Sequence, residues 1–261
     1  MLQYLIASIY VTVAPEICID RMYWERFESE GKKSADLMIV QADGTMDMHF
    51  LYSCQTHGGI VFRYNSEVMI ANKQWDRVAI FPPVVEDDMQ TFIIQSFYTH
   101  AVQRQMLQLH CATIEDQGRG ILFLGPSGIG KTTQAERWAQ YRGSSIINGD
   151  IGFVQRTTQG YTAWGTPWHG SSPYCLNTSV PVKALVVLKQ APENRLRELT
   201  GFEKVREVSG SVFYPTWLEN GMELCTDTLN HLLTDLPVYR LDNRADEAAV
   251  NLLAAELDRI T

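Results

Sequence analysis

The sequence contains little of what marks several common classes of protein. Its five cysteines stand singly and far apart along the chain, without the Cys-x-x-Cys pair that zinc and redox sites use. We therefore expect reduced, mostly buried cysteine side chains in a cytoplasmic protein. No apolar run reaches the roughly 18 residues needed to cross a membrane. The apolar N-terminus carries no basic residue before Arg21, and its β-branched and aromatic side chains favour a strand over a signal peptide.

Positive charge is also scarce. The 261 residues include 22 lysines and arginines against 30 aspartates and glutamates, for a formal net charge of −8. The cations form no cluster, which argues against a nucleic-acid surface, because a phosphate backbone binds to a basic face. With 45% hydrophobic and 20% charged residues, the composition is that of a globular protein with either one large domain or two smaller ones.

One stretch matches a nucleotide-binding motif. The first eight of residues 125–133 fit G-x-x-x-x-G-K-[ST] without a mismatch, after a strand candidate at 121–124 and before a helix candidate at 134–140. The backbone amides of such a loop and the start of its helix bind phosphate oxygens. We predict that Lys131 reaches the outer phosphates and that Thr132 binds Mg²⁺. The predicted ATP-binding residues are Gly125, Pro126, Ser127, Gly128, Ile129, Gly130, Lys131, Thr132 and Thr133. The alternative is a glycine-rich turn that arose by chance.

An acid is expected beside this loop. Phosphoryl transfer needs a carboxylate that holds Mg²⁺ or takes the proton of the attacking hydroxyl. Asp150 follows a strand candidate that begins at residue 146, whereas the long apolar strand at 180–188 is followed by Lys189 and Gln190 and offers no acid. We predict that Asp150 is catalytic and a metal ligand. The alternative is an aspartate of a surface turn.

A histidine before the loop and an aromatic segment after it complete the predicted site. His110 lies at the start of a strand candidate, 109–114, that turns directly into the strand before the loop. It is predicted to be catalytic beside the outer phosphate; the alternative is a histidine of the core. The segment 165–172 is rich in glycine, proline, tryptophan and hydroxyl groups, which is typical of a ligand-binding loop. Trp168 and His169 are its predicted substrate-binding residues, with packing of the tryptophan in the core as the alternative.

The order of these motifs resembles the HPr kinase/phosphorylase family, whose fold is related to that of phosphoenolpyruvate carboxykinase. The resemblance covers residues 89–261 and rests on Leu109-His110-Cys-Ala, on 125–133 and on Ile147-Asn-Gly-Asp150. Residues 165–170 and 192–195 resemble the branch that includes lasso peptide kinases.

The resemblance implies specific roles for these residues. The loop would bind ATP, Thr132 and Asp150 would hold the metal, and His110 would lie by the phosphate. Asp150 would act as the general base toward a serine hydroxyl. HPr kinases carry two adjacent aspartates where this chain has Gly149 and Asp150. One acid therefore has to serve both roles unless another residue helps.

The predicted fold is α/β, with a P-loop, HPr-kinase/PEP-carboxykinase-like mixed sheet and flanking helices at 83–261 and a small β-rich region at 1–82. Turn residues separate strand candidates in the first region at 5–13, 36–41, 46–52, 60–64, 68–71 and 78–81. Further strand candidates lie at 109–114, 121–124, 146–148, 152–155, 161–164, 180–188 and 238–241. Apolar periodicity predicts helices at 89–109, 134–140, 194–199, 202–208, 217–233 and 247–260.

The leading functional prediction is an ATP- and Mg²⁺-dependent kinase that phosphorylates a hydroxyl, in the first place serine, of a peptide or small protein. Lasso peptide tailoring is the nearest specific process. One alternative is a nucleotide-binding regulatory or scaffold protein with little transfer activity. Another is a small-metabolite kinase. We expect no nucleic-acid or membrane partner, and the sequence leaves the oligomeric state open.

Overall fold

A computed structural model of the chain describes residues 1–31, 33–42, 59–64, 67–82 and 84–260. The predicted strand at 46–52 and Cys54 lie outside these ranges, as do two pairs of the turn residues that separate the strand candidates, Asp43-Gly44 and Asn65-Ser66. The chain divides into two compact units, Met1–Arg104 and Gln105–Thr261. In the parts of the chain that the structure describes, no helix combines the length and apolar character needed to span a bilayer.

The first unit is built on a mixed sheet. Its described strands are β1 (Leu2–Ile6), β2 (Ile9–Val13), β3 (Leu37–Gln41), β4 (Gly59–Tyr64), β5 (Glu67–Asn72) and β6 (Arg77–Phe81), in the order β1-β2-β3-β6-β5-β4. The β2–β3 and β3–β6 pairs are parallel, and the others are antiparallel. A short helix, α1 (Arg21–Trp24), follows β2.

The single strand predicted at 5–13 is wrong, because the chain reverses there and forms the β1–β2 hairpin. Ala7 and Ser8 make the turn with φ angles of 45° and 64°. Two successive residues with positive φ are what a tight hairpin turn requires, and glycine or asparagine usually occupies these positions. Ala-Ser carries no such signal, so the alternation of apolar residues runs through the turn unbroken.

The helix predicted at 89–109 is α2 (Glu86–Val102), which ends earlier and packs on the first sheet. The ring of Phe92 lies 6.2 Å from that of Phe62, and the Ser96 hydroxyl lies 3.5 Å from the Met69 sulfur. The compact units therefore divide after α2, whereas the sequence places this helix with the C-terminal region. The predicted boundary between a β-rich region at 1–82 and a kinase domain at 83–261 stays a prediction.

The second unit holds a larger mixed sheet with helices, and with the first unit it confirms the predicted α/β class. Its described strands are β7 (Met106–Asp116), β8 (Arg119–Leu124), β9 (Ser145–Asn148), β10 (Ile151–Thr157), β11 (Gly160–Trp164), β12 (Ser179–Gln190), β13 (Arg195–Glu198) and β14 (Val238–Asn243). They follow the order β11-β10-β7-β8-β12-β14-β13, with β9 paired to β7. The helices are α3 (Lys131–Arg142), α4 (Phe202–Val208), α5 (Gly221–Asp235) and α6 (Glu247–Arg259).

The helix predicted at 194–199 is wrong, because this segment is the edge strand β13. It pairs antiparallel with β14, and Leu196 packs against the buried core while its arginine neighbours are exposed. A segment this short has too few apolar positions to separate a period of 2 from one of 3.6, and pairing with β14 decides the outcome.

Strand β8 lies in the middle of this sheet and positions the predicted phosphate loop. It pairs antiparallel with β7 and parallel with β12. The side chains of 121–124 are fully buried, and Phe123 lies 6.2 Å from the ring of Trp138 on α3. The strand and the helix are thus both fixed by the core, so the segment 125–130 between them begins and ends at fixed points.

Candidate active site

The loop leaves β8 and turns directly into α3, as the sequence predicts. Gly128 and Gly130 have φ angles of 76° and 104°, which a residue with a side chain rarely adopts. Gly130 occupies the N-cap position of α3, and the following Lys131 is the first residue of that helix. The backbone therefore brings the free N–H groups at the helix start together with the loop amides, which is an arrangement that binds anions.

Lys131 is held inward against this loop. Its side chain is buried, and its ammonium donates to the carbonyl oxygens of Gly125 at 3.1 Å and Pro126 at 3.3 Å. Burial lowers the pKa of Lys131, while the nearby carboxylate of Asp150 acts in the opposite direction. The lysine is thus a partly desolvated cation, and its side chain is oriented by the carbonyl groups of the loop.

His110 and Asp150, which lie far apart in the sequence, meet beside Lys131. The β7–β10 register pairs His110 with Ile151, the residue after the acid. His110 Nε2 lies 3.0 Å from Asp150 Oδ1 and 3.0 Å from Lys131 Nζ. His110 is part of the interior of β7 rather than the start of a strand. Its side chain and that of Asp150 remain 28% and 29% exposed, so the cluster is open to solvent.

The two contacts of His110 Nε2 cannot both be hydrogen bonds at once. Lys131 Nζ is a donor and needs an unprotonated Nε2, whereas the Asp150 carboxylate needs an Nε2–H that donates to it. The position of one proton therefore selects which partner the histidine holds. An anion that drew Lys131 away would leave Nε2–H free to donate to Asp150.

A buried asparagine with no predicted role in the site holds the backbone of Asp150 in place. Asn148 is fully buried, and its Oδ1 accepts from the backbone N–H groups of Asp150 and Ile151, each at 3.0 Å. Its Nδ2 donates to the carbonyls of Trp168 at 2.8 Å and Thr166 at 3.3 Å. One carboxamide thus joins the turn that carries Asp150 to the segment 165–172. The signal in the sequence was an asparagine two residues before the acid, the spacing of a side-chain-capped turn.

The segment 165–172 packs closely on this turn. A Cβ at Gly149 would lie 1.8 Å from Ser172 Oγ, and a Cβ at Gly170 would lie 1.9 Å from Asp150 Oδ2. Ser172 therefore fills the place where a side chain at position 149 would stand. A second aspartate, as HPr kinases have at this point, does not fit without rearrangement, so the single acid is part of the local packing.

The two predicted substrate residues lie in different surroundings. Trp168 is 6% exposed, and its ring lies 5.9 Å from that of Phe153, which agrees with the alternative that it packs in the core. His169 is half-buried, with Nδ1 against the Ser172 carbonyl. A substrate-binding role for either side chain stays a prediction.

The oxygen atoms near the start of α3 fit a magnesium ion that also binds phosphates. Thr132 Oγ1 donates to the Gly149 carbonyl at 3.1 Å, which places this hydroxyl on the turn that leads into Asp150. Among the described residues, no group of three or more His, Cys, Asp or Glu side chains could hold a metal alone. One hydroxyl and one carboxylate match Mg²⁺, which binds few protein oxygens and completes its shell with phosphate and water.

Comparisons with known proteins give matches of two kinds, to a family model and to solved structures. A family model described as "ScmC: SynChlorMet cassette protein ScmC" matches residues 84–233, which is more than half of the chain. The chain is also similar to a solved structure, "Structure of the Hpr(Ser) kinase/phosphatase from Coxiella burnetii", at 12% sequence identity. That match covers 58% of this chain and 88% of the other, with a TM-score of 0.33. A search of the curated proteins finds no match.

Proposed function

This chain belongs to the family of the SynChlorMet cassette protein ScmC, and we propose that it is an ATP- and Mg²⁺-dependent kinase with an HPr-kinase-like fold. Its substrate is a hydroxyl, in the first place that of a serine, on a peptide or small protein. One observation carries the proposal. Lys131, His110 and Asp150 lie in contact beside a glycine-rich loop that leads into α3.

Binding of the phosphates is the first task of the site. The loop amides and the free N–H groups of α3 bind the phosphate oxygens, and Lys131 neutralises charge on the outer ones. The Gly125 and Pro126 carbonyls already aim the lysine along the loop, so little side-chain freedom is lost when phosphate replaces them. Thr132 and Asp150 would be the oxygen ligands of Mg²⁺, and the bound ion would offset the charge that builds up on the phosphates.

Removal of the acceptor proton is the second task. Asp150 is the acid in the cluster with an accessible carboxylate, and it takes the proton of the attacking hydroxyl. Asn148 fixes the backbone of Asp150, and His110 Nε2–H donates to its Oδ1 once Lys131 turns to the phosphates. The histidine thus orients the base without giving up a proton to the substrate.

Transfer to a peptide distinguishes this proposal from its main alternative, a nucleotide-binding scaffold. The protein is incubated with ATP labelled in the outer phosphate and with the short peptides encoded by neighbouring genes. We expect label on a serine of one peptide, located by fragmentation mass spectrometry. Tight ATP binding without label on any of these peptides, or on the small metabolites of a cell extract, would favour the scaffold.

A further inference from the structure

The order of strands places the two sides of the phosphate loop in different surroundings. His110 on β7 and Asp150 before β10 lie to one side of β8, and the ends of β12 and β14 lie to the other. If the outer phosphate lies at Lys131 beside the acid, the inner phosphate and the group attached to it must lie on the opposite side. The strand ends of β12 and β14 are therefore where the rest of a nucleotide has to be accommodated.

A cavity of about 520 Å³ lies there. It is bounded by Gly130 and Thr133 at the start of α3, by Gln190 and Ala191 at the end of β12, and by residues 243–245 after β14. Its volume lies within the range of about 300–1,000 Å³ that is usual for small-molecule sites. We propose that this cavity binds the ribose and base of the nucleoside triphosphate. The inference rests on the proposed function, because it takes the phosphates to be bound by the loop.

The wall formed by residues 243–245 is held in place before any ligand arrives. Asn243 Oδ1 accepts from Ala245 N at 2.8 Å, and Arg137 Nε on α3 donates to Ala245 O at 3.1 Å. Asn194 Oδ1 accepts from Arg244 N at 2.9 Å. Ala245 has a φ of 53°, which an alanine adopts only when its surroundings impose it. A wall fixed in this way loses little freedom when a ligand binds to it.

Arg244 supplies the polar chemistry of this wall. Its side chain is 56% exposed and pairs with Asp246 Oδ2 at 2.7 Å, so its charge is balanced while its guanidinium plane remains accessible. A planar guanidinium can lie over an aromatic base, and it donates hydrogen bonds in that plane.

A second cavity, of about 400 Å³, also borders β12 and β14, at Lys189 and Arg240, and is the alternative place for the nucleoside. It touches Gly125 and Pro126, the two residues whose carbonyls hold the Lys131 ammonium, and it reaches Gly210. It does not border Gly130 or Thr133. A nucleoside there would lie at the outer-phosphate end of the loop, so the first cavity is the better match.

The test compares a nucleoside triphosphate with a ligand that has only its phosphates. Calorimetry with Mg²⁺ present measures the dissociation constants of ATP, GTP and inorganic triphosphate for wild type, Ala191→Trp and Gly210→Leu. Ala191→Trp fills the first cavity. Gly210→Leu is the matched control in the second, where an added Cβ meets nothing within 4 Å. Arg244→Ala changes the first cavity at an exposed site, so it tests the same cavity if Ala191→Trp misfolds. Unfolding curves are recorded for all three variants.

We expect ATP or GTP to bind to wild type at least about tenfold more tightly than inorganic triphosphate. Ala191→Trp should weaken nucleotide binding about tenfold or more and leave triphosphate binding unchanged. Arg244→Ala should weaken nucleotide binding about threefold and leave triphosphate binding unchanged. Gly210→Leu should change the dissociation constant of neither ligand.

Three outcomes overturn the inference. Nucleotides that bind no tighter than triphosphate would remove the nucleoside site and leave the phosphate loop standing. Weakening by Gly210→Leu but not by Ala191→Trp would move the nucleoside to the second cavity. Failure of wild type to bind either kind of ligand would overturn the proposed function itself, and this inference with it.

Discussion

Replacement of Asn148 by leucine tests whether a buried carboxamide positions Asp150, the proposed general base. The side chains are of similar size, so the change removes hydrogen bonds without opening a large cavity. The backbone N–H groups of Asp150 and Ile151 lose their acceptor. The carbonyls of Thr166 and Trp168 keep second donors, from the Cys175 thiol and the Thr166 hydroxyl.

The cost follows from the two donors that are left unpaired. A buried N–H without an acceptor costs about 1–3 kcal/mol, and these two are only partly buried, so we expect Asn148→Leu to lose about 2–4 kcal/mol of unfolding free energy. The acid also loses its anchor, and a displacement of about 1 Å at a catalytic group can lower turnover about a hundredfold. ATP affinity should change far less. In the part of the chain that the structure describes, the Asn148 side chain bonds to Asp150, Ile151, Thr166 and Trp168 and not to the phosphate loop.

Urea unfolding followed by tryptophan fluorescence measures the first effect, and steady-state transfer of labelled phosphate measures the second. Asn230→Leu, at an exposed position on α5, is the matched control and should stay within about 0.5 kcal/mol of wild type. The reasoning fails if Asn148→Leu unfolds at the wild-type urea concentration, or if it is destabilised as expected but turns over at the wild-type rate.

Three further predictions concern the same site. Gly149→Asp, which introduces the second aspartate of HPr kinases, should lower the free energy of unfolding by about 2 kcal/mol or more, because its Cβ meets Ser172 Oγ. Adding Ser172→Gly should restore part of this stability in thermal unfolding. Strict additivity of the two changes would contradict the steric contact between positions 149 and 172. Burial lowers the pKa of Lys131 below 10.5, so just below that pH the unfolded chain binds more protons than the folded one, and the contribution of Lys131 to stability rises with pH. The urea midpoint of Lys131→Met should therefore rise less than that of wild type between about pH 8 and pH 10. An equal rise would refute the lowered pKa of Lys131. Burial also raises the pKa of the Cys111 thiol to about 11, so iodoacetamide at about pH 8 should label exposed Cys18 long before Cys111, and equal labelling by peptide mass spectrometry would be the contrary result.

The parts of the site that are local in sequence could be predicted from it. The glycine-rich loop between a buried strand and a helix is written in one continuous stretch, and the structure has the strand, the turn and the helix there. The meeting of His110 with Asp150 depends on the β7–β10 register, which no local pattern specifies. The sequence predicts only that each of the two residues lies beside the loop.

What the sequence did not predict depends on contacts between distant residues. Ala7 and Ser8 turn the chain because the β1–β2 pairing imposes it, and residues 195–198 become a strand because β14 offers an edge. Asn148 resembles any turn asparagine until Thr166 and Trp168 are placed against it. Ser172 likewise explains Gly149 only in three dimensions.

The central claim is that Asp150 activates a hydroxyl for attack on a phosphate held by Lys131. Single-turnover transfer of labelled phosphate from ATP to the acceptor peptide tests it most directly, in wild type, in Asp150→Asn and in Asp227→Asn, an exposed aspartate on α5. We expect a loss of about a hundredfold or more in Asp150→Asn and wild-type transfer in Asp227→Asn. Transfer by Asp150→Asn at the wild-type rate would contradict it.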